Sequence, residues 1–136
     1  ENIKQMCDTF VDEQVFFRFL DRRRGRLDGV VVSGGEPTLM PDLVDFFTKI
    51  KARGFLVKLD TNGNRPEVIR QLIDERLVDY VAMDIKTSLP KYAELVGKGA
   101  VQYRLQDSME ILKSSCVAYE FRSTLIKEVH SKNILK

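Results

Sequence analysis

The chain lacks any apolar run near the roughly 20 residues that a membrane-spanning helix requires, and no signal peptide opens it. We therefore expect a cytoplasmic protein with no membrane contact. It also lacks an excess of charge of one sign, since 22 basic and 20 acidic side chains leave a net charge of +2. That balance argues against a surface for binding nucleic acid.

Cysteine is scarce. Cys7 and Cys116 are the only two cysteines and show no C-x-x-C spacing, so the sequence predicts neither a disulfide framework nor a metal site. The G-x-x-x-x-G-K-[ST] and G-x-G-x-x-G motifs are missing as well, so no phosphate cradle is indicated. With 43% hydrophobic and 31% charged residues, the 136 residues suit one soluble globular domain, which we assign to residues 1–136.

Segments with helical periodicity alternate with short apolar runs rich in β-branched residues. The helix-like segments are DEQVFFRFLDRRRG, PDLVDFFTKIKARG, RPEVIRQLIDERL and QYRLQDSMEILKSS. The strand-like runs are DGVVVSGG, FLVKLDTNG, DYVAMDIKT and VAYEFRSTLI. Such alternation predicts an α/β fold with right-handed crossovers and a parallel sheet.

Polar residues gather where each predicted strand ends. Ligands of parallel α/β sheets bind at the carboxyl ends of the strands, so we expect these residues to share one rim. Each cluster taken singly is also typical of a turn, a cap or a local ion pair. The residues expected at the rim are Gly34, Gly35, Glu36, Pro37, Asp60, Thr61, Asn62, Asp84, Lys86 and Arg122.

The chemistry of these residues favours a ligand with an amino-acid head and a nucleoside tail. Gly34 and Gly35 lack Cβ atoms, so a ligand can lie against their backbone. Glu36 suits an ammonium group, with a charge-assisted hydrogen bond of about 1.5 to 3 kcal/mol. Asp60 and Asp84 suit ribose hydroxyls or a monovalent cation, while Lys86 suits a carboxylate.

Three of these strand ends together, SGGEPTL, KLDTNG and VDYVAMDIKT, resemble the radical S-adenosylmethionine (SAM) enzymes. More narrowly, the chain resembles the activators of glycyl radical enzymes such as pyruvate formate-lyase and anaerobic ribonucleoside-triphosphate reductase. The resemblance extends from about Val15 to about His130. It implies a partial (β/α)6 TIM-like barrel that binds S-adenosylmethionine at the carboxyl ends of its strands.

The resemblance also implies a role for each rim residue. Residues Gly34 to Pro37 match the family's contacts with the methionine moiety. Asp60, Thr61 and Asn62 match positions beside the cofactor and a monovalent cation, and Arg122 matches an arginine on the following strand. Asp84 and Lys86 match the family's catalytic positions, whereas His130 is expected to be a surface residue.

Activity and partners follow from the same resemblance. Such an enzyme reductively cleaves S-adenosylmethionine with an electron from a donor such as flavodoxin and installs a glycyl radical on a partner enzyme. Two alternatives stay open. One is a radical SAM enzyme acting on a small molecule, and the other is a non-catalytic (β/α) barrel fragment that binds sugar phosphates.

One family feature is missing. The family holds a [4Fe–4S] cluster with the three thiolates of C-x-x-x-C-x-x-C, and this chain contains no such motif. We therefore expect a fragment that runs from about the family's first helix through its fifth strand. The fragment alone should hold no cluster and be catalytically inert. Its uncovered strand edges predict self-association.

Overall fold

A computed structural model describes residues 12–85 and 99–123. Four helices and four strands alternate in this part of the chain. The helices are α1 Glu13–Arg22, α2 Leu43–Ala52, α3 Pro66–Asp74 and α4 Gly99–Ser114. The strands are β1 Gly29–Val32, β2 Leu56–Thr61, β3 Tyr80–Ile85 and β4 Ala118–Ser123. A short 3-10 turn, Pro37–Leu39, lies between β1 and α2.

The four strands form one parallel sheet in the order β1-β2-β3-β4. The predicted α/β alternation and parallel sheet are confirmed. Because each right-handed crossover moves one strand further in the same direction, successive helices fall on the same face of the sheet. This is the arrangement of a barrel segment, whereas a doubly wound sheet carries helices on both faces.

Burial follows this one-sided arrangement. Residues of the central strands that face the helices are buried, among them Val57, Leu59, Val81 and Met83 at no more than 1% exposure, and Ala82 on the other face of β3 is buried as well. On the opposite face of the first two strands, Val31 of β1 is 52% and Leu56 at the start of β2 is 55% exposed. We call this uncovered side the open face. Val31 pairs across the sheet with Lys58, Tyr80 and Ala118. These residues, and every second residue along each strand from them, point to the open face.

The helix boundaries follow local sequence signals. Asp12 caps α1 by accepting a hydrogen bond from the Gln14 amide. Gly54 follows α2 with φ +88, the left-handed conformation that ends many helices. Pro66 opens α3, where its missing N–H leaves no partner unsatisfied. The predicted apolar faces are confirmed, since Leu43, Phe47, Ile50, Ile69 and Leu72 are buried.

Asp79 closes the amino-terminal edge of the sheet. Its Oδ2 accepts hydrogen bonds from Lys51 Nζ at 2.7 Å and from the Val57 amide at 2.8 Å. The Asp79 amide in turn donates to the Val57 carbonyl at 2.8 Å. One aspartate thus joins α2, the start of β2 and the start of β3.

Within the described residues, no helix is both long enough and apolar enough to cross a membrane. The assignment of residues 1–136 to one unit and the expected self-association stay predictions.

Candidate functional site

The predicted rim residues lie at the carboxyl ends of the strands, but they divide between the two sides of the sheet. Thr61 is in register with Met83 and Phe121 on the helix side and is 2% exposed. Asp60, the preceding residue, lies on the open face. Adjacent residues of a strand must point to opposite faces. Two groups therefore form where the sequence predicted a single rim.

Arg122 is the centre of the open-face group. Its Nε lies 3.1 Å from Asp84 Oδ1 and 3.7 Å from Glu120 Oε2, and its Nη2 lies 3.5 Å from Asp60 Oδ2. Partial burial acts to lower the pKa of Arg122, but the charges of Asp60 and Asp84 outweigh it, so this pKa is raised. The guanidinium stays charged and holds three carboxylates together.

Tyr80 and Lys58 extend this group across the open face. The Tyr80 hydroxyl donates a hydrogen bond to Glu120 Oε1. This bond is the main cause that raises the pKa of Tyr80 above its ordinary value of 10.0. Lys58 Nζ lies 5.4 Å from the centre of the Tyr80 ring and 3.9 Å from Asp60 Oδ1.

Asp60 has an unsatisfied oxygen. Its Oδ1 is buried and has no hydrogen-bond partner among the described residues. Its one charged neighbour at ion-pair range there is Lys58, at 3.9 Å, which is too long for a hydrogen bond. An unpaired buried acceptor costs about 1 to 3 kcal/mol. A hydroxyl group or a cation bound at the open face would remove that penalty.

Gly34 and Gly35 form an open loop after β1. Their φ angles are +88 and +54, a region that L side chains rarely adopt. A Cβ built on either glycine meets no atom within 4 Å, and both residues are exposed. The backbone of residues 33–36, which we call the glycine loop, is thus accessible to a ligand.

The Glu36 carboxylate is occupied by the protein itself. Its Oε1 accepts a hydrogen bond from the Asn62 amide at 2.7 Å. Its Oε2 accepts from the Thr61 hydroxyl at 2.6 Å, from the Thr38 amide at 3.2 Å and from the Thr38 hydroxyl. Glu36 therefore ties the glycine loop to the end of β2. Binding of an ammonium group by Glu36 stays a prediction, and an ammonium would have to share these oxygens.

The turn after β2 is built from residues 61–65. Gly63 has φ +78, and its amide donates to Thr61 Oγ1 at 3.1 Å. The Asn62 side chain accepts from the Asn64 amide at 3.0 Å, which is an Asx turn. From α4, the Ser108 hydroxyl donates to the Gly63 carbonyl at 2.6 Å. The turn that the sequence predicted is present, and a helix 45 residues away supports it.

The remaining predicted residues have simpler positions. Pro37 is buried at the start of the 3-10 turn. Lys86 and His130 lie outside the described residues. Cys116 is exposed between α4 and β4, at the amino-terminal end of that strand.

The given sequence has two cysteines, fewer than the three thiolates of the family's cluster motif, and the absence of a cluster stays a prediction. Such clusters are held by several cysteine thiolates. Cys116 lies at the edge of the sheet opposite the glycine loop, and Cys7 lies outside the described residues. Among the described residues, no group of three histidine, cysteine, aspartate or glutamate side chains is placed to hold a metal ion.

Sequence reasoning missed Lys58, Tyr80 and Glu120, because the strands were interpreted as uniformly apolar. A period-two signal was present. Lys58 and Asp60 alternate with buried Val57 and Leu59 on β2, and Glu120 and Arg122 alternate on β4 with the aromatic residues Tyr119, which is exposed, and Phe121, which is half-buried. Ser108 gave no such signal, since a serine within an amphipathic helix is unremarkable.

Two surface grooves of the described residues lie elsewhere. One, between α3 and α4, is lined by Pro66, Arg70, Asp107 and Ile111, and another separates α1 from α2. Neither contains a residue of the two polar groups, so we place the candidate site by its chemistry at the carboxyl edge.

The sequence matches the Radical SAM superfamily over residues 9–128. It is 39% identical over 107 residues to a Methanocaldococcus jannaschii protein provisionally named as a glycyl-radical enzyme activating enzyme, covering 75% of this chain and 45% of that protein. It is 32% identical over 123 residues to 7-carboxy-7-deazaguanine synthase of Thermococcus kodakarensis, covering 90% and 47% respectively. The chain therefore spans less than half the length of these curated relatives.

The fold is also similar to that of a solved protein. The crystal structure of archaeal TYW1 superimposes with a TM-score of 0.63 at 24% sequence identity, covering 75% of this chain and 34% of that one. At this identity the likeness concerns the fold alone.

Proposed function

This chain belongs to the radical SAM superfamily, and on that premise we propose that its carboxyl edge binds S-adenosylmethionine for a glycyl-radical activating enzyme. The observation that carries the proposal is the exposed glycine loop beside an open face that holds an Asp60 oxygen with no hydrogen-bond partner among the described residues. The loop offers backbone groups to the methionine moiety. Asp60 offers an acceptor to a ribose hydroxyl or to a monovalent cation.

The other rim residues have supporting roles in this proposal. The glycine loop is held in place by the hydrogen bonds of Glu36 with Thr61 and Asn62. Pro37 begins the 3-10 turn that follows the loop. Arg122 and Asp84 form the charged wall of the open face, and Lys86 completes the set with Asp84 as the proposed catalytic pair. The given sequence lacks the three cysteines that hold the cluster in this family. In this proposal, the chain therefore contributes the binding and orientation of S-adenosylmethionine. A protein that also contains the C-x-x-x-C-x-x-C loop would supply the electron.

A pair of glycine variants tests the binding site. Gly34 and Gly25 both have positive φ, +88 and +79, and both have open space where a Cβ would stand. Alanine at either position should therefore lower stability by a similar amount, about 1 to 2 kcal/mol. Only Gly34→Ala should weaken S-adenosylmethionine binding in calorimetry, by about tenfold or more, because its methyl group enters the ligand's space. Equal affinity in the two variants would contradict the site.

The reaction is tested in a protein that joins this chain to a cluster loop. Under anaerobic reducing conditions we expect 5′-deoxyadenosine and, with a glycyl radical enzyme present, a glycyl radical detectable by electron paramagnetic resonance. An intact cluster with no 5′-deoxyadenosine formed would overturn the proposed chemistry.

A second candidate is a radical SAM enzyme that acts on a small molecule. It is favoured by the relative from Thermococcus kodakarensis, which aligns with 90% of this chain and whose name denotes a synthase of a deazaguanine. The same experiment separates the two candidates. Formation of 5′-deoxyadenosine that depends on a small molecule, with no radical on any polypeptide, would select this one.

A further inference from the structure

We infer that Ser108 of α4 is a positioning residue for the glycine loop and acts through a relay of hydrogen bonds across the turn after β2. The inference rests on the proposed function only in that the loop binds S-adenosylmethionine. The relay itself is a property of the free protein and can be measured without any ligand.

The relay starts in the core. Ser108 is fully buried, at 0% exposure, and its hydroxyl donates to the Gly63 carbonyl at 2.6 Å. Gly63 packs directly against the Met83 side chain, whose terminal atoms a Cβ on Gly63 would meet. The bond from Ser108 therefore holds the Gly63–Asn64 peptide group, which adjoins at the Gly63 Cα the Asn62–Gly63 peptide group whose N–H forms the next link.

The next two bonds reach Glu36. The Gly63 amide donates to Thr61 Oγ1 at 3.1 Å, and that hydroxyl donates its only proton to Glu36 Oε2 at 2.6 Å. The amide of Asn62, between them, donates to the other carboxylate oxygen at 2.7 Å. Two successive groups of the turn thus hold both oxygens of Glu36.

Glu36 transmits this position to the glycine loop. It directly follows Gly35, and its carboxylate also accepts from the Thr38 amide at 3.2 Å. A Cβ at either loop glycine would meet no atom within 4 Å, so the loop has little packing of its own to hold it. Its position depends on the anchored Glu36, and through the relay on Ser108.

The sequence offers a matched control on the same helix. The Ser114 hydroxyl donates to the Glu110 carbonyl at 2.9 Å, within its own helix. Ser114→Ala therefore removes a hydroxyl of α4 without touching the relay, whereas Ser108→Ala removes the first link. Thr61→Val removes the middle link and keeps the branched shape.

Amide hydrogen exchange by NMR on the 136-residue chain tests the relay. In Ser108→Ala we expect the Gly63, Asn62 and Thr38 amides to exchange about five- to tenfold faster, as the loss of one buried hydrogen bond predicts. Amides of Leu59 and Val81 in the central strands exchange through global unfolding and should accelerate only by the loss of global stability that urea denaturation measures, and Ser114→Ala should leave all five amides unchanged. Faster exchange at Gly63 without any change at Thr38 would overturn the relay.

The wild type gives a second measurement that needs no variant. If the relay is one unit, the Thr38, Asn62 and Gly63 amides should open together, with one dependence on low concentrations of denaturant. Separate dependences for Thr38 and Gly63 would overturn the inference even if Ser108→Ala did not fold. Thr61→Val should uncouple Thr38 from Gly63, and persistent coupling in that variant would likewise count against the relay.

Binding of S-adenosylmethionine separates this inference from the proposed function. Ser108→Ala should raise the dissociation constant about five- to tenfold relative to Ser114→Ala. No binding by wild type, with coupled exchange, would reject the proposed ligand and keep the relay. Equal binding by both serine variants, with uncoupled exchange, would reject the relay and keep the ligand.

Discussion

The two edges of the same parallel sheet use aspartate in opposite ways. At the amino-terminal edge, Asp79 Oδ2 accepts two hydrogen bonds of 2.7 and 2.8 Å and joins three elements. At the carboxyl-terminal edge, Asp60 Oδ1 is buried without a partner in the described part of the chain. In barrel-type folds the amino-terminal edge serves stability and the carboxyl-terminal edge serves function. The satisfied and the unsatisfied carboxylate reproduce that division within one sheet.

Glu36 is the exception at the carboxyl edge, since its carboxylate is as well satisfied as that of Asp79. It stabilises the position of a loop that is itself open. The carboxyl edge therefore combines a rigid support with an accessible backbone, an arrangement that favours binding a ligand without a large ordering penalty.

The largest expected effect comes from Glu36→Gln. The variant keeps the shape of the side chain but removes its charge. The new NH2 group also points at a hydrogen-bond donor where a carboxylate oxygen had accepted a bond, so the free energy of unfolding should fall by about 2 to 3 kcal/mol. Affinity for S-adenosylmethionine should fall together with stability, which urea denaturation and calorimetry can measure. A loss of affinity with unchanged stability would show instead that Glu36 meets the ammonium directly.

Asp79→Ala should have the next largest effect and should affect stability alone. We expect the free energy of unfolding to fall by about 2 kcal/mol, from the lost charge-assisted bond to the Val57 amide and a solvent-screened pair with Lys51. Asp107→Ala, at an exposed position of α4, should change it by less than about 0.5 kcal/mol. Weaker S-adenosylmethionine binding by Asp79→Ala would contradict the assignment of stability to the amino-terminal edge and of binding to the carboxyl-terminal edge.

Asp60→Asn should show the opposite pattern. Because one carboxylate oxygen has no hydrogen-bond partner within residues 12–85 and 99–123 and the contact with Arg122 is long, stability should change by no more than about 0.5 kcal/mol. Affinity for S-adenosylmethionine should fall about tenfold, since a charged acceptor is lost from the open face. If Asp60→Asn lowered the free energy of unfolding as much as Asp79→Ala does, the proposed difference between the two edges of the sheet would be wrong.

The smallest effect concerns the titration of Tyr80. Its hydrogen bond to Glu120 raises its pKa above 10.0 in the folded protein. A raised pKa means that the contribution of this bond to stability is fully present below about pH 10 and is lost as the pH rises through the folded value. Tyrosinate absorbance should show a late-titrating component from Tyr80, which Glu120→Gln shifts to lower pH. Tyr103→Phe, at an exposed tyrosine, should leave the late group in place.

Much of the fold could be predicted from the sequence because its causes are local. The helices begin and end at Asp12, Gly54 and Pro66 for reasons of capping and backbone conformation. The strands follow from β-branched runs, and their regular alternation with helices leaves few topologies other than a parallel sheet. The glycine loop was also predictable, since only glycine adopts two successive positive φ angles at little cost.

The candidate site was predictable only in part. The sequence placed Asp60 and Thr61 in one cluster, yet the two-residue period of a strand directs them to opposite faces, so only one reaches the open face. In the sequence, Glu36 has no visible hydrogen-bond donor nearby, so it was interpreted as an acceptor for an ammonium group. In the structure its carboxylate accepts hydrogen bonds from Thr61 and Asn62, which lie 25 and 26 residues away along the chain. No pattern along the chain identifies such partners.

By itself, the sequence determined the helices, the strands and the residue types that collect at the carboxyl edge, because periodicity, capping and turn chemistry act over a few neighbouring residues. Only the tertiary structure decided that the carboxylates of Asp79 and Glu36 accept hydrogen bonds, while Asp60 Oδ1 accepts none from the described residues. Asp79 meets Lys51, Glu36 meets Thr61 and Ser108 meets Gly63 across separations of 28, 25 and 45 residues. Hydrogen bonds depend on distance and angle in space, and the packing of helices onto the sheet sets both.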